Sequence, residues 1–174
     1  VLNTFAVSSA NRESIYDIIR AASRGHIDAT VARKEMAQLA GARLEDWDKA
    51  IATSESRNTK LFEYIASIRA AGYKTAVLSN VSAGGLGARF SEGELSRYFD
   101  VVVESGAVHL AKPDPAIYIY TSDTLKLSPS QLVFIDDNAS FVAAAVGCGM
   151  KAIYYTDLPT TLSQLDQLIA NPNN

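Results

Sequence analysis

The strongest constraint on the fold is a series of short, almost wholly apolar segments that alternate with helical ones from about residue 58 onward. Lys74 to Leu78, Asp100 to Val103, Leu132 to Ile135 and Lys151 to Tyr155 read as strands. They lack the polar–apolar alternation of a sheet with one wet face, so both faces of each strand are expected to be covered. Between and around them, periodic apolar positions mark helices at Leu61 to Ala71, Leu95 to Phe99, Pro115 to Leu125, Ser140 to Gly147 and Thr161 to Ala170. Strands alternating with helices imply right-handed crossovers and a parallel α/β sheet with helices on both faces. In such sheets ligand sites form beyond the carboxyl ends of the strands, so the strand ends are where chemistry is sought.

The chain before residue 58 follows a different pattern and reads as helix throughout. Glu13 to Ser23 places Ile15, Ile18, Ile19 and Ala22 on one face and stops at Gly25. Asp28 or Thr30 caps a second helix carrying Val31, Met36 and Leu39, which stops at Gly41. Leu44 to Ala52 is a third, with Trp47 and Ile51 on its apolar side. Residues 10–57 thus form a helical segment, 58–174 an α/β segment with a loose tail at Asn171 to Asn174, and 1–9 a lead-in.

Composition narrows the function classes. With 48% hydrophobic and 20% charged residues, the 174-residue chain suits one globular domain, or one domain plus a small insertion. Net charge is −3 and no basic stripe runs along any segment, which sets nucleic acid aside as a partner. Cys148 is the only cysteine, so an internal disulfide and a zinc cluster are excluded and a reducing, cytoplasmic setting is expected. It lies between two glycines and reads as a small buried residue. No stretch has the length and apolarity of a membrane span or the pattern of a signal peptide, and the sequence leaves the oligomeric state open.

Three strand-end or turn motifs carry candidate chemistry. Asp136-Asp137 follows four apolar residues, and two adjacent carboxylates there repel unless a cation compensates them. A hard divalent cation such as Mg²⁺ meets that need, preferring carboxylate oxygens and keeping waters that a phosphate can replace. The plainer reading is that Asp137 or Asn138 caps the next helix, and the two are compatible. Ser79-Asn80 ends another strand, where a hydroxyl and an amide can donate to phosphoryl oxygens or simply form a turn. Lys112 sits in Ala111-Lys112-Pro113-Asp114-Pro115, with two prolines fixing the backbone around it and Pro115 suited to a first helical turn. A lysine so held can neutralise charge on a transferring phosphoryl group, or be a solvated lysine in a rigid turn. Gly84-Gly85-Leu86-Gly87 lacks the Lys-Ser/Thr of a P-loop and reads as a mobile loop; His26 and His109 have no partner at metal-ligand spacing and read as structural.

Taken in order, these motifs resemble those of the haloacid dehalogenase-like hydrolase superfamily. Thr75-Ala76-Val77-Leu78-Ser79-Asn80 is similar to its second motif, Lys112-Pro113-Asp114-Pro115 to its third, and Val133-Phe134-Ile135-Asp136-Asp137-Asn138 to its fourth. The resemblance runs from about Leu61 to Asp157, and the helical segment from Glu13 to Arg57 is similar to the small cap that members insert after their first motif. The resemblance implies a Rossmann-like core with a helical cap. It also implies a Mg²⁺-dependent phosphatase of a small phosphorylated metabolite, with Ser79 and Asn80 orienting the phosphoryl group, Lys112 neutralising charge, and Asp136 and Asp137 binding the metal.

One departure from the pattern matters. The family's first motif, an Asp-x-Asp strand end supplying the nucleophile and the general acid/base, does not occur here, and no Asp precedes the cap. Val1-Leu2 is read as the remnant of that motif, with the first core strand missing and this polypeptide expected to have little or no phosphatase activity. Two alternatives stay open: a 2-haloacid dehalogenase, whose chemistry needs no metal, and a non-catalytic binding or regulatory protein that keeps the fold. A response-regulator receiver is rejected, because its acidic pair comes early and its lysine last, the reverse of the order here.

Overall fold

The computed structural model describes residues 2–54, 58–91 and 93–170. The expected cap boundary at residue 57 and the tail at Asn171 to Asn174 lie outside the described residues. The chain divides into two compact units, Val1–Ala111 and Lys112–Asn174.

The first unit opens with three helices, α1 (Ser9–Ser23), α2 (Ala29–Leu39) and α3 (Leu44–Ser54). Side-chain caps set two of their starts. The Ser8 hydroxyl accepts from Asn11 N at 3.2 Å, and Asp28 Oδ1 accepts from Thr30 N and Val31 N at 2.8 and 3.2 Å, so Asp28 rather than Thr30 is the cap. The three helices close on Val7, Ile15, Ala37 and Trp47. Leu2, Phe5 and Val7, from the lead-in, join this core; the Phe5 ring stacks on Trp47 with centroids 5.8 Å apart, and the Arg12 guanidinium donates to Leu2 O and Val7 O. Ile19 and Val31, expected inside, are exposed. The α2 helix buries Ala32 and Ala37 instead, and an alanine face lets neighbouring helices approach more closely than a face bearing branched side chains would.

The rest of the first unit is built on α4 (Thr59–Ala70), β1 (Ala76–Ser79), α5 (Glu94–Tyr98), β2 (Val101–Glu104) and the short α6 (Ser105–Val108). The strands β1 and β2 pair in parallel with Ala76 opposite Val101 and Ser79 opposite Glu104. Phe62 of α4 gathers Phe90, Tyr98 and Phe99 at centroid distances of 4.9–6.4 Å. Arg69 reaches from α4 to the Asp100 carboxylate at 2.8 Å and to the carbonyls of Ser96 and Arg97, tying helix α4 to the start of β2.

The second unit contains α7 (Pro115–Leu125), a 3₁₀ turn (Pro129–Gln131), β3 (Val133–Asp136), α8 (Ala139–Gly147), β4 (Lys151–Tyr154) and α9 (Leu158–Ala170). The strands β3 and β4 are parallel, with Val133 opposite Lys151 and Asp136 opposite Tyr154, and α8 is the crossover between them. Ile117, Tyr118, Leu125, Ala145, Met150, Ile153 and Leu165 are its buried apolar positions. The mixed α/β class with parallel strands is thus the one the sequence predicts. Each strand is half-buried or better over most of its length, as continuous apolar runs require. Among the described residues, no helix is long and apolar enough to cross a membrane.

Candidate functional site

The second unit brings three of the five predicted residues into one neighbourhood. Asp136 is the last residue of β3, and Lys112 enters α7 through Pro113, Asp114 and Pro115. The Lys112–Pro113 peptide is cis, Asp114 Oδ1 accepts from Ala116 N at 2.9 Å, and Pro115 occupies the first helical turn. This turn does not leave the lysine in solvent. Its Nζ lies 2.6 Å from Asp136 Oδ2, and the two side chains are only 8% and 10% exposed. The ammonium also faces two aromatic rings, Phe134 at 5.5 Å and Phe141 at 5.0 Å from the centroids. The solvated-lysine reading is therefore set aside.

The partners of the acidic pair differ sharply. Asp136 Oδ1 accepts from Asn138 N at 2.9 Å while Oδ2 takes the lysine, so both oxygens are engaged. The cation that adjacent carboxylates demand is, in part, Lys112 itself. Asp137 is exposed and takes part in none of these contacts. It is not the helix cap: Asn138 Oδ1 accepts from Ser140 N at 2.9 Å and from the Ser140 hydroxyl at 2.7 Å.

Whether these residues suit Mg²⁺ turns on donor chemistry. Among the described residues, no three His, Cys, Asp or Glu side chains converge on one point. Mg²⁺ does not need three; it is commonly held by one or two carboxylates and completes its octahedron with water and phosphate. An open Asp137 beside an anchored Asp136 is a donor pair of that type.

Around this pair, Tyr118 is fully buried and donates its hydroxyl to Phe141 O at 2.9 Å, fixing the start of α8 where Phe141 faces Lys112. Its ring packs edge-on against Phe134 at 5.3 Å. Burial, with the negative charge of Asp136 second, pushes the phenol pKa up to about 12. Cys148, expected to be buried, is half-exposed at the end of α8, and its thiol pKa is raised by partial burial and then by Asp114. A raised thiol pKa disfavours the thiolate, so Cys148 is not a poised nucleophile.

In the first unit, Ser79 closes β1 and Asn80 follows it, both half-buried, and Val81 N turns back to Ser79 O at 3.1 Å. The glycine-rich loop after them is pinned, contrary to its reading as mobile. Glu104, opposite Ser79, accepts from Gly84 N at 2.6 Å and Leu86 N at 2.7 Å, and the Leu86 side chain is buried. Of the two histidines, His26 is exposed, and His109 is exposed with its ring nitrogen 3.3 Å from Arg24 O. The sequence reading missed Glu104, Tyr118, Phe134 and Phe141. Glu104 was detectable by the rule that found Asp136, an acid directly after an apolar strand; the aromatic residues around Lys112 carry no local signal.

Residues 1–155 match the family model for haloacid dehalogenase-like hydrolases. The chain belongs to the haloacid dehalogenase-like hydrolase family. It is 32% identical over 126 residues to bifunctional epoxide hydrolase 2 of Sus scrofa, covering 70% of this chain and 22% of that protein. The chain thus spans about a fifth of the length of this relative. It is 29% identical over 89 residues to (S)-2-haloacid dehalogenase 1 of Pseudomonas sp. (strain CBS-3), covering 51% of this chain and 39% of that one. A haloacid dehalogenase family enzyme of Bacteroides thetaiotaomicron, solved in complex with magnesium and inorganic phosphate, superposes with a TM-score of 0.72 at 18% identity. That alignment covers 83% of this chain and 78% of the other and speaks to the fold.

Proposed function

We propose that this hydrolase-family chain carries the magnesium and phosphate recognition apparatus of a phosphatase acting on a small phosphorylated metabolite. The observation that carries this reading is the buried Lys112–Asp136 pair with an open Asp137 beside it, at the carboxyl end of β3. Asp137 and Asp136 would hold Mg²⁺, which when bound screens the charge of a phosphoryl group. Lys112, fixed by Asp136 and two ring faces, holds a positive charge for the same group. In the first unit, the Ser79 hydroxyl and the Asn80 amide at the end of β1 are donor types that suit phosphoryl oxygens. Phosphoryl transfer depends mostly on such positioning and charge stabilisation. No residue among these 174 is assigned as the nucleophile, and little turnover is expected from this polypeptide.

Binding rather than turnover is therefore the decisive measurement. Titration calorimetry with orthophosphate is expected to show binding that requires Mg²⁺ and is lost in Lys112→Ala. The kinship with a 2-haloacid dehalogenase supplies the rival outcome. Metal-independent chloride release from 2-chloropropionate, with no Mg²⁺-dependent phosphate binding, would replace this reading with dehalogenation. Robust hydrolysis of an aryl phosphate, abolished by Lys112→Ala, would overturn the expectation of low turnover.

A further inference from the structure

We infer that Glu104 is a positioning residue for the Ser79-Asn80 strand end, acting through the backbone of the loop that follows it. The inference rests on the proposed role of Ser79 and Asn80 toward a phosphoryl group.

The geometry is a two-point clamp. Glu104 stands opposite Ser79 in the β1–β2 register, so its side chain starts level with the residue it serves. Its two carboxylate oxygens take separate donors, Oε2 from Gly84 N at 2.6 Å and Oε1 from Leu86 N at 2.7 Å. Both bonds are short and charge-assisted, the strongest class of backbone–side-chain bond. Gly84 has φ +76°, a conformation that costs glycine little, and this lets amides two residues apart face one acceptor.

The residues immediately after Glu104 hold the near end of the same loop. Val81 O accepts from Gly106 N at 2.9 Å and from the Ser105 hydroxyl at 3.1 Å, and Ser105 is fully buried. Gly106 allows that approach: a Cβ there would stand 2.7 Å from Ala83 N and 2.8 Å from Ser82 Cα. The chain leaving Asn80 is thus fixed at Val81 by the 105–106 backbone and at Gly84 and Leu86 by the Glu104 carboxylate.

This arrangement also explains why the glycine-rich loop is not a phosphate cradle. Two amides that would meet an external anion already meet an internal one. The loop's converging donors hold Glu104, and their consequence for a ligand is indirect: they set where Ser79 and Asn80 stand.

Glu104→Gln tests the idea, since it keeps the side-chain length and removes the charge. Amide hydrogen exchange at Gly84 and Leu86 is expected to rise tenfold or more, and the amide resonances of Ser79 and Asn80 to move in ¹H–¹⁵N spectra. Orthophosphate affinity in the presence of Mg²⁺ is expected to fall about tenfold, the effect of losing roughly one charge-assisted hydrogen bond. In a double-mutant cycle with Ser79→Ala the two losses should be strongly non-additive, whereas a merely structural Glu104 would give additive ones. Unmoved Ser79 and Asn80 resonances, or additive losses, would overturn the inference. If the unaltered chain binds no phosphate with Mg²⁺, the proposed function fails, and exchange and resonances still decide whether Glu104 positions the strand end.

Discussion

Lys112 Nζ and Asp136 Oδ2 lie 2.6 Å apart with almost no access to solvent. Removing one member of such a pair leaves the other charge buried and uncompensated, which costs about 3–5 kcal/mol, whereas replacing both with apolar groups of similar size is often near neutral. Lys112→Met and Asp136→Leu should each lower the unfolding free energy by that amount, seen as a lower urea midpoint at constant m-value. The double variant should recover most of the loss. A cost below about 1 kcal/mol for Lys112→Met alone would show that Asp136 is compensated by water rather than by the lysine.

Asp137 should behave in the opposite way. It is exposed, and Asn138 rather than Asp137 caps α8, so Asp137→Asn is expected to leave stability within about 0.5 kcal/mol of the parent. The same change should weaken Mg²⁺ binding at least tenfold, because it removes a charged oxygen donor from a site with few. Calorimetric titration with Mg²⁺ alone reads this directly. Unchanged Mg²⁺ affinity would move the metal away from this strand end.

The start of β2 gives a pH prediction. The Arg69 side chain, followed by the Thr75 backbone amide, holds the Asp100 carboxyl below the usual carboxylate value. A lowered folded-state pKa contributes stability above the unfolded value of about 3.9 that is lost as pH falls through the folded one. Asp100→Asn should therefore reduce the melting temperature near neutral pH and flatten its decline on acidification. Parallel melting curves for the two proteins across the acid range would contradict the assignment.

The sequence made the α/β class legible because the four strands are apolar runs between periodic helices, and that pattern survives without tertiary information. Asp136 and Lys112 were legible for a similar reason, one as an acid directly after an apolar strand and the other as a lysine between prolines. Their mutual contact was not, since it joins residues 24 positions apart through the packing of α7 against α8 and β3. Glu104 was overlooked although it ends a strand as Asp136 does, because its partners are backbone amides and amides have no sequence identity. Ile19 and Val31 failed for a geometric reason: helical periodicity marks an apolar arc, and the neighbouring helices cover only part of it.

A last prediction concerns an imperfection in α9. Thr161 is 2% exposed, and its hydroxyl finds no hydrogen-bond partner among the described residues. A buried hydroxyl without a partner costs about 1–3 kcal/mol in proteins. Valine has nearly the same shape and a similar helix propensity, and it carries no polar atom to desolvate. Thr161→Val should accordingly raise the stability of the fold by about 1 kcal/mol in urea denaturation, with the m-value unchanged. A loss of stability would instead mean that the hydroxyl is bonded to a buried water, whose polar partners the valine would leave unsatisfied.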